Sequence, residues 1–366
     1  MRLTERFKSI LNAAEDHQCS DLHLSAEACL YGRVNGLLKA IDSHIWAPSE
    51  IQELFDGIAT SNMRSEFERN FSVDAACSLA GTRYRINIYR ERGFIAFAIR
   101  KLNHALKSFD DLKLPTKLLE LAQLKYGLVL FTGPTGSGKS TSLAALIDNI
   151  NRYRACHIIT IEDPIEYLHR NQQSLVHQRE LGTDVSSFSA SLREALREDP
   201  DVILVGEMRD LDTIRAAITA AETGHLVFST LHCGDAVGAL DRILAMYPPE
   251  EQESIQRQLA MVLQGVVSQT LVAKANEPGL LPVVEILRNT SAVRNLISSK
   301  QFNQIYNVLE FGSKEGMQSV DLVLAEYTHR NVITEETALK NARNKQLFNE
   351  KLSALRSQNS LRSQRI

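Results

Sequence analysis

The sequence is poor in cysteine and shows no cysteine pattern. Cys19, Cys29, Cys77, Cys156 and Cys233 are an odd number, widely spaced, with no Cys-x-x-Cys pair. That argues against a disulfide framework or a zinc site, and fits reduced thiols in a cytosolic protein. Long apolar runs are missing too. A stretch such as Phe94 to Ile99 falls far short of the roughly 20 residues that cross a bilayer. The opening Met1-Arg-Leu-Thr-Glu-Arg-Phe-Lys8 lacks the apolar core of a secretory leader. No direct membrane insertion is expected, so any membrane connection must come through a partner. A basic excess is also absent, since the net charge is −3, and nucleic acid is not expected as a main partner. What remains is a chain of 366 residues, 44% hydrophobic, with material for two or three domains with proper cores.

The most informative stretch is Gly127-Leu-Val-Leu-Phe-Thr132 running into Gly133, Pro134, Thr135, Gly136, Ser137, Gly138, Lys139, Ser140 and Thr141. An apolar strand delivers a glycine-rich loop whose backbone N–H groups can close around phosphate oxygens. The helix that begins near Lys139 adds the positive end of its dipole. Lys139 is expected to reach the β- and γ-phosphates and Ser140 to ligate Mg²⁺. A plain strand-to-helix turn without a ligand would not require Lys-Ser after the last glycine. A nucleoside triphosphate site is therefore expected.

The first hundred residues differ in texture from the rest of the chain. Leu3, Phe7, Ile10 and Leu11 recur at helical spacing over 1–15. Ser20 to Ser25 alternates like a half-buried strand, and Tyr31 to Ile41 reads as a hairpin about Asn35-Gly36. A helix from Pro48 to Thr60 and strands at Phe71 to Ala76 and Thr82 to Arg90 come next. In the last, Arg83, Arg85 and Asn87 alternate with Tyr84, Ile86 and Ile88. This is a small α+β domain over 1–100, with a linker at 101–112.

From 113 to 350 strands and helices alternate as in a mainly parallel α/β sheet. His157–Ile161, Asp201–Val205 and Leu226–Thr230 are short, continuously apolar strands suited to burial on both faces. Ser187–Arg197, Leu211–Glu222 and Asp235–Tyr247 have helical spacing. Pro248-Pro249 ends the last of these, a helix runs on from about Glu250 through Leu263, and Val266–Val272 is a final strand. The stretch 351–366, rich in Ser, Gln, Asn and Arg, reads as a disordered tail.

Polar residues collect at the C-terminal tips of the strands, where an open parallel sheet presents its ligand site. Glu162 and Glu166 come after one strand, Glu207 after another and His232 after a third, with His225 at the start of that third strand. Triphosphate hydrolysis needs a cation, a carboxylate to orient or deprotonate water, and positive charge on the equatorial oxygens. A lone loop glutamate is most simply a solvated or capping charge. Three strand tips behaving alike favour a site. His225 reads equally well as a satisfied buried histidine.

These residues resemble the secretion ATPase superfamily, and within it most closely the PilT-like branch, the retraction ATPases of bacterial type IV pili. The resemblance is carried by the loop Gly133–Thr141, by Thr160-Ile-Glu-Asp-Pro-Ile-Glu166, by Glu198 to Asp210, and by Ala221-Glu-Thr-Gly-His225 through Ser229-Thr-Leu-His232. It extends over Ser20–Ser25, Arg83–Asn87 with Arg90 and Arg92, Gly316-Met-Gln318 and Ile333-Thr-Glu-Glu336. It implies a PAS-like N-terminal domain and, after it, a RecA-like P-loop ATPase domain. The whole would form a homohexameric ring, with ATP and Mg²⁺ bound between the two domains of one chain and contacted by a neighbour. It further implies that Glu207 helps hold Mg²⁺ through water, because Asp201 sits at the wrong end of its strand. Glu166 would be the water-activating base, with Glu162 as the next candidate. His232 and His225 would couple phosphate state to subunit contact, and Arg83, Arg85, Arg90 and Arg92 would reach phosphates or act as fingers. The plain reading of those arginines is a solvated strand surface. The implied partner is an inner-membrane pilus platform protein, which would place the chain in the cytoplasm, peripheral to that membrane.

One segment departs from the branch. Its Ala-Ile-Arg-Asn-Leu-Ile-Arg-Glu is here Ser291-Ala-Val-Arg294-Asn-Leu-Ile-Ser298-Ser299, so the charged end is lost. An accessory or specialised motor of the same superfamily is the alternative this raises. The four-cysteine zinc module of many extension and type II secretion ATPases is absent, as is the extra N-terminal region of extension motors, and both absences point to the retraction branch. A RecA-like DNA motor would share the core but lacks support in charge or in a basic-aromatic platform. A GTPase is disfavoured because Asn344-Lys345-Gln346-Leu347 lacks the guanine-specifying acid.

Overall fold

Strict alternation over 82–91 puts Tyr84, Ile86 and Ile88 on one face of a strand, and all three are buried. In a computed structural model, which describes residues 3–102 and 106–363 with side chains through 357, this strand lies in the first of two units. The units are Met1–Ala105 with Glu166–Leu168, and Leu106–Ile165 with His169–Ile366. Of the linker expected over 101–112, residues 103–105 lie outside the described residues, as do residues 1 and 2 of the helical spacing expected over 1–15.

The first unit runs α1 (Glu5–Asp16), β1 (Asp21–Ser25), β2 (Tyr31–Val34), β3 (Leu37–Ala40), α2 (Pro48–Ile58), α3 (Ser61–Asn70), β4 (Ser72–Leu79), β5 (Thr82–Glu91) and β6 (Phe94–Leu102). Thr4 caps α1 by accepting from Phe7 N at 3.3 Å, and Pro48 opens α2 where its missing N–H costs nothing. Asn35 and Gly36, both at positive φ, turn β2 into β3. The sheet order is β3-β2-β1-β6-β5-β4, with every pairing antiparallel. Phe94–Leu102, which reads in the sequence only as an apolar run, is the central strand β6. Phe7, Leu11, Ile51, Phe55 and Phe67 from the three helices bury its core against Leu22, Ile86 and Phe97. The helix expected up to Thr60 ends at Ile58, and α3 starts anew at Ser61 behind the cap Thr60.

The second unit continues with α4 (Leu119–Ala122), β7 (Gly127–Thr132), α5 (Lys139–Tyr153), β8 (His157–Glu162), β9 (Leu175–Glu180), α6 (Phe188–Ala195), β10 (Val202–Val205), α7 (Leu211–Glu222), β11 (Leu226–Leu231), α8 (Ala236–Ala245), α9 (Pro249–Val262), β12 (Leu263–Ala273) and β13 (Leu280–Arg288). Five helices close it: α10 (Ser291–Ser298), α11 (Ile305–Phe311), α12 (Val320–His329), α13 (Glu335–Asn341) and α14 (Lys345–Ser363). Its sheet order is β13-β12-β7-β11-β10-β8-β9, parallel throughout except for the β12–β13 pair. Helices cover both faces, which is why β7, β10 and β11 are buried at every position. The α/β class expected from the sequence is observed: an antiparallel-sheet domain, then a mainly parallel one.

The expectation of a disordered tail over 351–366 needs correction. Helix α14 continues to Ser363, because Phe348, Leu352 and Leu355 form an apolar stripe packed with α12. The polar composition hides three anchors at helical spacing; residues 364–366 lie outside the described residues. Among the described residues no helix is long and apolar enough to cross a membrane.

Candidate functional site

β7 is hydrogen-bonded between β11 and β12 and carries its loop out at the C-terminal edge of the sheet. Gly133, Gly136 and Gly138 have φ of 145°, 80° and 84°, conformations that a side chain would strain. At Gly133 a Cβ would also lie 2.3 Å from Gln269 O, so glycine is required there twice over. The Lys139 ammonium is buried and donates to Gly133 O at 2.7 Å and Pro134 O at 3.0 Å, closing the loop on itself. Among the described residues, the buried Ser137 Oγ has no hydrogen-bond partner. An orphaned hydroxyl, a cation and positive-φ glycines in one loop fit a phosphate group. Thr135, Gly136 and Ser140 remain exposed and Thr141 half-buried.

Beside the loop, the tips of β10 and β11 are tied together. Ser229 Oγ donates to Val205 O at 2.8 Å, Thr230 Oγ1 to Gly206 O at 2.7 Å, and Met208 N to Thr230 O at 3.1 Å. Thr132 Oγ1 donates to Cys233 O at 2.8 Å and accepts from Cys233 N at 3.1 Å, which fastens the end of β7 to the loop after β11. These bonds bring Glu207 and His232 together. The largely buried Glu207 carboxylate accepts from Arg209 Nε at 2.7 Å and lies 3.5 Å from His232 Nε2. A pocket of about 620 Å³ opens here, lined by Pro134, Thr135, Arg209, His232, Cys233 and Thr270. Burial pushes the Cys233 thiol above its ordinary pKa, so it lines the pocket as a neutral thiol. Ser140 and Glu207 offer a hydroxyl and a carboxylate, oxygen donors that suit a hard cation.

The other sequence candidates are spread over several elements. Glu162 ends β8, three strands from β7 and so about 14 Å away at the usual strand spacing. Its carboxylate accepts from Thr160 Oγ1 at 2.6 Å and Gln178 Nε2 at 3.2 Å. Buried Glu180 holds the segment after β8 by accepting from Ile165 N at 3.0 Å. His225 stands at the opposite end of β11 from His232, about 23 Å along the strand. Its Nδ1 lies 3.0 Å from Ala220 O and 3.2 Å from Thr223 Oγ1, so the two histidines are not brought together. Glu166 groups with the first unit, which also holds the four arginines. Arg83 and Arg85 share a face of β5, where Arg83 reaches Ser78 Oγ at 3.5 Å and Arg85 pairs with Asp74 at 3.4 Å. Arg90 has the opposite parity and lies over the Phe67 and Phe71 rings, while Arg92 sits in the β5–β6 turn against Glu91. The arginines are therefore not one face.

Sequence reading passed over Gln269, Arg209 and Thr270. For Gln269 and Thr270 the available signal was polar residues inside the apolar run Val266–Val272.

A family model described as type II/IV secretion system protein matches residues 97–362. The chain belongs to this family. It is 40% identical over 325 residues to the type IV pilus retraction ATPase PilT of Pseudomonas aeruginosa, covering 88% of the chain and 94% of that relative. It is 41% identical over 313 residues to a twitching motility protein of Neisseria gonorrhoeae, covering 85% of the chain and 84% of the relative. Among solved structures, the pilus retraction motor PilT with bound ADP superposes with a TM-score of 0.85 at 40% identity, over 92% of this chain and 97% of that one.

Proposed function

We propose that this chain is an ATP-hydrolysing motor that powers type IV pilus retraction, and so twitching motility. It would work as a homohexameric ring on a membrane platform protein, from the cytoplasmic side of the inner membrane. The observation that carries the reading is the phosphate-shaped loop, with its buried Lys139 and orphaned Ser137 hydroxyl, beside the Glu207–His232 pair. It stands in a chain 40% identical to a PilT retraction ATPase over most of its length. ATP hydrolysis is the activity of this family branch.

In this reading the loop amides of Gly133–Thr141 and Lys139 hold the phosphates. Ser140 and, through water, Glu207 would hold Mg²⁺, which when bound neutralises charge on the phosphate oxygens. Glu166 would be the base that activates water, with Glu162 as the next candidate, and Arg83, Arg85, Arg90 and Arg92 supply positive charge. His232, 3.5 Å from Glu207, would couple phosphate state to subunit contact. His225, at the far end of β11, would act by subunit contact rather than at the phosphates. The first unit takes the PAS-like role and the second the RecA-like role.

A second reading, an accessory motor of the same family, is favoured by α10. Val293 and Ile297 pack inward, but the helix ends in Ser298 and Ser299, and Ser299 Oγ turns back to Asn295 O at 2.8 Å. Those two serines offer a partner no charge, and the next charged side chain is the exposed Lys300. Deleting the gene and scoring pili and twitching separates the readings. Surplus pili without twitching supports retraction, unchanged twitching supports the accessory role, and bald cells would sink both.

A further inference from the structure

Gln269 lies on β12 one residue beyond Ser268, which pairs with Thr132 at the end of β7, and it is 2% exposed. At a position buried in a seven-stranded sheet an apolar side chain is the default, so the amide needs a reason. Both of its functions go to the phosphate loop and its helix. Nε2 donates to Ser137 O at 2.8 Å, and Oε1 accepts from Ser142 Oγ, in the first turn of α5, at 2.8 Å. The adjoining residues reach the same region. Ser268 Oγ donates to Gly234 O at 3.2 Å, and Thr270 lines the pocket with Thr135 and His232.

Peptide geometry supplies the consequence. The amide linking Ser137 to Gly138 is planar, and in a trans unit its C=O and N–H point in opposite directions. Holding Ser137 O toward β12 therefore turns Gly138 N–H away from β12. Gly138 is the residue whose left-handed conformation opens α5, so this N–H stands at the helix N-terminus, where anions bind. We propose that Gln269 is a positioning residue that aims the Gly138 N–H into the phosphate cradle. This rests on the proposed nucleotide-binding function. Gln269 touches no phosphate itself; it acts through the Ser137–Gly138 peptide. With the hydrogen bond gone, that peptide is free to rotate and the cradle loses a donor that was set before the ligand arrived.

The test compares Gln269→Met, close in size but without hydrogen bonds, with Gln269→Glu, which keeps the bond from Ser142 but sets a carboxylate oxygen against Ser137 O. Dissociation constants for ADP and for ATP with Mg²⁺ are measured by titration, with KM and kcat for ATP turnover and melting of the nucleotide-free protein. Gln269→Met is expected to raise Kd and KM about tenfold with kcat within about threefold, the pattern of lost ground-state binding. Gln269→Glu should be weaker still, and Ser142→Ala, which leaves the bond to Ser137 intact, should change Kd less than about threefold. A purely structural glutamine would instead give a lowered melting temperature with Kd unchanged, and that result overturns the inference while leaving the functional reading intact. Wild-type protein that binds no nucleotide overturns the functional reading, and this inference with it.

Discussion

Arg343 and Glu285 form a two-pronged ion pair in the interior of the second unit, with Nη1–Oε2 at 2.6 Å, Nη2–Oε1 at 2.8 Å and the Glu285 side chain almost wholly buried. The pair does not stand alone. The Arg343 guanidinium lies over the Tyr306 ring at 4.8 Å, and Tyr306 OH donates to Asp235 Oδ2 at 2.9 Å. Asp235 caps α8 through Gly238 N at 2.7 Å, three residues after His232. β13, α11, the turn before α14 and the loop after β11 thus share one charge network. Burial holds the Glu285 carboxyl above its ordinary pKa against the opposing pull of Arg343.

Removing one partner from that pair should cost far more than removing both. Arg343→Met leaves a buried carboxylate uncompensated and is expected to cost about 3–5 kcal/mol, read as a lower urea midpoint. Arg343→Met with Glu285→Met should regain most of the loss. A single variant within about 1 kcal/mol of wild type would show that water reaches Glu285.

Gly133→Ala should abolish the phosphate loop while sparing the fold. The new Cβ meets the Gln269 carbonyl at 2.3 Å, and φ of 145° is strained for alanine. Nucleotide affinity is expected to fall more than about tenfold for a stability cost of about 1–3 kcal/mol. Titration with ADP beside a thermal melt checks both; unchanged affinity would mean that the loop relaxes around the methyl.

Glu207 and Lys139 should separate hydrolysis from binding. Glu207→Gln removes the charge that faces Arg209 and His232 and is expected to cut turnover about a hundredfold or more, with ATP binding largely kept. Lys139→Ala should lose binding and turnover together. Phosphate release and nucleotide titration read the two separately. A fully active Glu207→Gln protein would move the catalytic role elsewhere.

The protein should lose stability in mild acid through His169. Burial lowers its pKa from 6.5 to about 4, and among the described residues its buried Nδ1 has no hydrogen-bond partner. The unfolded chain takes up the proton near 6.5 and the folded chain only near 4. The contribution is therefore complete above pH 6.5 and erodes as pH falls toward 4, by up to roughly 3 kcal/mol. His169→Leu should flatten the urea midpoint against pH across that window. An equally steep profile in the variant would place the acid sensitivity in other groups.

Much of this was legible in the chain. The glycine spacing, Lys139-Ser140 and the apolar run before them are local chemistry, and the structure keeps them in one strand, loop and helix. The alternation of Tyr84, Ile86 and Ile88 likewise needs no distant partner to be read. Where meaning depends on a distant partner, the pattern is silent. Phe94–Leu102 reads as an apolar run until β1 and β5 flank it. Arg90 reads with Arg83 until its parity puts it over Phe67. Phe348 and Leu352 disappear into a polar composition until α12 covers them.

The sequence by itself determined the phosphate loop and the elements with a clear local period, because helix period, strand alternation and the glycine requirement at positive φ are set by near neighbours along the chain. Only the tertiary structure decided which residues share the site. Gln269 lies 132 residues from Ser137 yet holds its carbonyl, and His225 lies seven residues from His232 yet about a strand's length away. Pairing β12 beside β7 closes the first separation, and the rigid rise of β11 keeps the second open.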